Sequence, residues 1–256
     1  MGRIRPNRVK QKLAAGETVV SVAGLDSPDQ IDLMGPFGLD AVWLEGEHGP
    51  LDFGRIPDLT RACDLWGITS IVRVNALAYG PIYRTLDLGA QGVCVPHIDT
   101  GDDARRFVEA AKFAPIGKRG LFVSRQGYGV EDYLAIANDH TLLIALIEDI
   151  RAVQNLDEIL AVDHVDVFFV APSDLAASMG LIGQVGHPKV QETVDQALRR
   201  IIDAGRTAGT TLVGNRNGER YAALGVRFLA ATAQPWIAAG LGGLRQEIAA
   251  ATRAPS

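Results

Sequence analysis

A chain of 256 residues that is 47% hydrophobic and 21% charged carries enough apolar material for one large core, which argues against a disordered body. Its formal net charge of −5 gives no general attraction to nucleic acid or to an anionic membrane, and no uncharged apolar run of about 18 residues is present to span a bilayer. The two cysteines, Cys63 and Cys94, lie in apolar settings without C-x-x-C spacing, so neither a zinc site nor a disulfide framework is suggested and a reducing cytoplasm is the expected compartment.

The basic stretch 3–12 is followed by no long apolar run, so it reads as a polar lead-in to a first helix rather than a secretory signal. Short β-branched runs then follow at 18–23, 41–45, 70–74, 92–96, 142–147, 165–170, 210–213 and 227–231. Segments with apolar residues every three or four positions alternate with them, at 55–66, 81–88, 102–113, 152–160 and 190–208. That rhythm predicts a single (β/α)8 TIM barrel over residues 1–256. It breaks once, between 114 and 138, where glycine, arginine and aromatic residues replace a helix-strand step and a long loop is expected. The Ala-rich stretch 236–253 reads as one amphipathic helix.

In such a barrel the C-terminal strand ends carry the chemistry. The second strand runs into Glu45-Gly46-Glu47-His48-Gly49, the third holds Arg73, the fifth ends at Glu148-Asp149, and the sixth leads into Ala171-Pro172-Ser173-Asp174. A carboxylate ending a strand as apolar as 142–147 needs a cation or a hydrogen-bond network. Glu148 and Asp174 are therefore candidate ligands for one Mg or Mn ion completed by water and substrate; the alternative is that both cap helices. His48, on a strand-to-loop turn, is either a proton carrier or an exposed loop histidine. Arg73 pairs either with an anionic substrate or enolate, or with Glu45 or Glu47 as a structural salt bridge. The loop 118–129 carries Arg119, Arg125 and Tyr128; it is expected to reach over the mouth and select a substrate, or else to form a subunit contact.

The segments EGEHGP (45–50), VRV (72–74), LDLGAQGVCVPHI (86–98), LIEDIRAVQNLDEIL (146–160) and APSDLAASMG (171–180) occur in order on the expected strands. Together they make the chain resemble the HpcH/HpaI aldolase family, metal-dependent class II pyruvate aldolases of the phosphoenolpyruvate/pyruvate-binding barrel type. The resemblance implies a hexamer, a trimer of dimers, with a C-terminal helix exchanged between subunits. It implies Glu148 and Asp174 as ligands of a divalent Mg, Mn or Co ion, His48 as base, and Arg73 as the group that holds the keto acid and its enolate. It further implies that Asp87 orients the base across a subunit interface and that the amides at Ser173 and Asp174 take the pyruvate carboxylate. The substrates so implied are a small 2-oxo acid and an aldehyde, joined into or released from a 4-hydroxy-2-oxo acid.

Three positions depart from the family pattern. Glu45 stands where aspartate is common, Leu146 where the best-known members have a glutamine touching the keto acid, and Ala231-Thr232-Ala233-Gln234 where a Gly-Ser-Asp-like turn is usual. The same site also suits an oxaloacetate-type decarboxylase or a citrate- or malyl-CoA-like lyase, although no basic run suited to a CoA phosphate is seen. A barrel that binds small acids without turning them over is the remaining alternative.

Overall fold

The computed structural model describes residues 2–253; Met1 and residues 254–256 of the expected 1–256 domain lie outside them. Eight strands, β1 (Val19–Ala23), β2 (Ala41–Glu45), β3 (Thr69–Arg73), β4 (Gly92–Val95), β5 (Leu142–Ile147), β6 (Val167–Val170), β7 (Ala208–Thr211) and β8 (Phe228–Thr232), pair in chain order, and β1 pairs with β8 to close a parallel barrel. The expected TIM barrel is thus present. Among the described residues its outer layer and ends are formed by α1 (Arg8–Ala14), α2 (Pro28–Met34), α3 (Ile56–Leu65), α4 (Tyr79–Asp87), α5 (Gly101–Ala111), α6 (Tyr133–His140), α7 (Ile150–Gln154), α8 (Leu156–Leu160), α9 (Pro172–Ser178), α10 (Pro188–Asp203), α11 (Gly218–Leu224) and α12 (Ala233–Arg253). None of these helices is long and apolar enough to cross a membrane.

Side chains alternate along each strand, and the alternation sorts the apolar residues into two sets. Trp43, Ile71, Ile144, Leu146, Phe169 and Phe228 fill the lumen, where Trp43 and Phe169 lie 5.4 Å apart between ring centroids. Val42, Leu44, Val72, Leu143, Ala145 and Ile147 point outward under the helices. Every residue of β5 is buried, as expected of a strand covered on both faces. Extending the lumen parity two residues beyond Trp43, Ile71 and Leu146 puts Glu45, Arg73 and Glu148 on the inner face at the C-terminal rim.

The opposite end is plugged by α1. Asn7 caps that helix and donates from Nδ2 to the carbonyls of Gln91 (3.0 Å) and His140 (2.9 Å), the Val9 amide donates to Thr69 Oγ1 (3.1 Å), and Val9 itself is buried in the lumen cluster. The polar lead-in is therefore the floor of the barrel.

Three expectations move. The helical pattern read over 190–208 stops at Asp203, because Gly205 takes a left-handed φ of 71° and lets the chain turn; β7 consequently starts at Ala208 and ends before 213. The 152–160 helix is two short helices, α7 and α8, divided at Asn155, whose side chain donates to the Asp99 carbonyl. The long connection 114–138 is not wholly a loop: α6 occupies its last part and continues to His140.

Lys112, 3% exposed, follows α5 and donates from Nζ to the carbonyls of Asn138 (2.5 Å) and Thr141 (2.8 Å) at the end of α6. Burial pushes its ammonium down to about 8, against the opposing pull of Asp166. The unfolded chain, with an ordinary lysine near 10.4, binds more protons between these values, so stability rises with pH across that window by about 3 kcal/mol from this group. Urea midpoints at pH 7.5 and 10 are expected to rise more in the parent than in Lys112→Met. Equal slopes in the two proteins would show that the buried ammonium carries no such cost.

Candidate active site

The rim of β2, β3, β5 and β6 gathers most of the predicted site. Glu45 and Arg73 face one another in the β2–β3 register. Arg73 donates from Nε to both Glu45 oxygens (3.1 and 2.8 Å), while its Nη2 lies 2.8 Å from Glu45 Oε2 and its Nη1 3.0 Å from Glu47 Oε2. Both salt bridges anticipated for Arg73 therefore form together. Burial alone would raise the pKa of Glu45, but the Arg73 hydrogen bonds, the amides of His48 and Glu47 and the Arg73 charge outweigh it and hold the carboxyl below its ordinary value. Burial likewise works against the Arg73 guanidinium, and Glu45 more than compensates, so its pKa is raised.

Glu45 does not touch the His48 ring. Its Oε1 accepts from the main-chain amides of Glu47 (2.8 Å) and His48 (3.0 Å), so it shapes the turn that carries His48. The closeness of that turn explains Gly49, where a Cβ would sit 2.6 Å from the Glu45 carbonyl. The His48 side chain is 68% exposed, with Nε2 3.9 Å from Glu47 Oε2. Glu47, read beforehand only as a possible salt-bridge partner, is central: its Oε2 is buried without an aligned hydrogen bond despite the nearby Arg73. Strand spacing could not have found it, since β2 ends at Glu45 and Glu47 lies in the turn that follows.

Glu148 follows β5 with its side chain 2% exposed. Its Oε1 accepts the His97 amide at 2.8 Å, whereas no donor among the described residues reaches Oε2. Burial raises its pKa; His97 pulls the other way, and the charges of Glu47 and Asp174 push further upward. A buried carboxylate with one unclaimed oxygen and two carboxylate neighbours fits a divalent cation, which would relieve both the desolvation and the repulsion. Among the described residues no group of three or more His, Cys, Asp or Glu side chains is arranged to hold a metal ion; Glu148 and Asp174 would supply two ligands at most, with the other positions left to water and substrate. The capping alternative fails for both: α7 is capped by Asp149, which accepts from the Arg151 amide, and Asp174 lies inside the first turn of α9, after Ala171.

A cavity of about 300 Å³ is lined by Glu45, His48, Arg73, Ser173 and Asp174 above a floor of Trp43, Leu146 and Phe169, with Thr211 and Ala231-Thr232 along its far wall. Leu146 is buried and apolar, so at that point the floor offers packing and no polar side chain. At the start of α9, Pro172 occupies the first helical position and the Ser173 and Asp174 amides have no intrahelical partner, leaving two donors at the rim.

Two predicted residues lie elsewhere. Asp87, at the end of α4, pairs with Arg119 at 2.6 Å and does not line this cavity. Arg125 does not reach over the mouth: its Nη1 pairs with Asp64 (2.6 Å) and its Nη2 donates to Thr60 (2.8 Å) beside Gly89. The reason is topological. The 112–132 connection leaves α5 at the N-terminal end of the barrel, and there it binds the chain start through Gly2 and the residues just before β4 through Gly89.

A family model described as HpcH/HpaI aldolase/citrate lyase matches residues 20–234. A hydroxypyruvate/pyruvate aldolase of Cupriavidus necator is 35% identical over 229 residues, covering 88% of this chain and 85% of its own length. A 2-keto-3-deoxy-L-rhamnonate aldolase of Klebsiella pneumoniae is 34% identical over 236 residues, covering 90% and 88%. The crystal structure of a HpcH/HpaI aldolase/citrate lyase family protein from Burkholderia cenocepacia superposes with a TM-score of 0.88 at 30% identity, covering 94% of this chain and 99% of that one. The closed barrel and these likenesses define an enzyme of the aldolase type, a carbon–carbon lyase. Within that class the chain belongs to the HpcH/HpaI aldolase/citrate lyase family.

Proposed function

We propose that the chain is a metal-dependent aldolase that joins a pyruvate-type 2-oxo acid to an aldehyde, or splits the resulting 4-hydroxy-2-oxo acid. The observation that supports this reading is Glu148, a buried carboxylate at the C-terminal rim with an unclaimed oxygen, whose pKa burial and the charges of Glu47 and Asp174 push upward. A Mg, Mn or Co ion held by Glu148 and Asp174 would, when bound, polarise the keto group of the 2-oxo acid and make the neighbouring C–H easier to ionise. His48, exposed at the mouth beside Glu47, takes that C–H proton in addition and gives it to the aldehyde oxygen as it becomes the 4-hydroxyl; in cleavage it takes the hydroxyl proton and delivers it to the enolate carbon. Arg73, already fixed by Glu45 and Glu47, faces the developing enolate charge without having to reorganise. The free amides of Ser173 and Asp174 hold the substrate carboxylate, and Leu146 and Trp43 contact the acid by packing alone.

The apolar residues Trp236, Ile237, Leu241, Leu244 and Ile248 of α12 are exposed on the single chain. Their exposure supports a homo-oligomer in which α12 packs on a neighbour; the family resemblance makes it a hexamer, a trimer of dimers, in which Asp87 approaches the neighbour's His48. Two buried free thiols, Cys63 and Cys94, suit a cytoplasmic setting.

Purified protein with Mn or Mg, pyruvate and a panel of aldehydes is expected to deplete pyruvate and form new 2-oxo acids. Inertness toward every aldehyde, together with rapid loss of oxaloacetate, would instead assign the site to decarboxylation.

A further inference from the structure

His97 follows Pro96 at the end of β4 in a left-handed conformation with φ of 55°, which costs a non-glycine residue on the order of 1 kcal/mol. The turn is pinned on its far side. The Ile98 amide donates to the Leu146 carbonyl (3.3 Å), Asn155 Nδ2 donates to the Asp99 carbonyl (2.9 Å), and Arg151 pairs with the Asp99 carboxylate (2.7 Å). What the strained backbone achieves is convergence on one atom. The His97 amide lies 2.8 Å from Glu148 Oε1 and the ring Nδ1 3.3 Å from the same oxygen, while the ring Nε2 is 3.9 Å from Glu47 Oε1.

We propose that His97 is a positioning residue whose main-chain amide holds Oε1 of Glu148 by a hydrogen bond while its ring stands against the same oxygen, fixing that carboxylate so that Oε2 alone is offered to the cation. This rests on the metal reading given above. A ligating carboxylate that is itself held by hydrogen bonds cannot rotate between one- and two-oxygen coordination, and loss of such outer partners typically weakens metal binding 10- to 100-fold.

Glycine tolerates the left-handed backbone and keeps the amide while removing the ring, and asparagine tolerates it while restoring a short side-chain donor. Mn2+ binding is followed by the electron paramagnetic resonance signal of the free ion, with melting temperature measured on metal-free protein. His97→Gly is expected to weaken Mn2+ binding at least 10-fold without lowering the melting temperature, and His97→Asn to recover most of that loss. Parent-like binding in His97→Gly overturns the proposal and leaves the metal reading standing, as does equal weakening in both variants. A parent that binds no Mn2+ overturns the metal reading itself.

Discussion

Glu148→Gln is expected to slow proton exchange severely while leaving the barrel intact. With Mn2+ and pyruvate in D2O, the parent is expected to wash deuterium into the methyl group, and the variant to do so slower by about three orders of magnitude, the scale of several kcal/mol of lost charge stabilisation. The substitution keeps size and the acceptor for the His97 amide but withdraws a buried negative charge that burial and the neighbouring Glu47 and Asp174 already disfavour. The metal-free variant should therefore melt no lower than the parent. A variant that loses exchange and also loses its fold would show a structural role instead, and one that retains parent-like exchange would remove Glu148 from the chemistry.

Arg73→Met has the opposite stability signature. It strips the cation from two carboxylates at once, Glu45 and Glu47, with side chains 22% and 12% exposed. Breaking a buried pair on one side typically costs 3 to 5 kcal/mol, and removing a preorganised donor from an enolate costs about 100- to 1000-fold in kcat. Both effects are expected together, read by urea unfolding and by retro-aldol turnover. Arg73→Lys should regain stability better than rate, since one ammonium neutralises the carboxylates but cannot reproduce the Nε and Nη contacts to both. Full activity in Arg73→Lys would refute the two-carboxylate clamp as a catalytic feature. Glu45, held below its ordinary value, adds stability above about pH 4 that is lost as pH falls through its depressed pKa; this acid-induced loss of stability should shrink in Arg73→Met.

The sequence made legible whatever depends on parity and punctuation. β2 and β5 lie at the expected residues because their apolar runs end in charge, and the same alternation projects Glu45, Arg73 and Glu148 inward. The shift of β7 came from reading helical spacing through Gly205, a residue that stops a helix more strongly than periodicity sustains it. The place of Arg125 was hidden for a different reason. Its partner Asp64 lies far back in the sequence on α3, and no local pattern reports that the connection after α5 emerges at the end of the barrel away from the rim. Glu47 and His97 were missed because their importance lies in contacts between loops, Glu47 with Arg73 and His97 with Glu148, which spacing along a single strand does not encode.

The plug formed by α1 precedes in sequence every group that seats it. Thr69, Gln91 and His140 belong to the third, fourth and fifth staves, so the berth for Asn7 and Val9 exists only once those three stand side by side. In the native state, an α1 seated with Asn7 and Val9 in place is thereby tied to three staves that the chain makes after it.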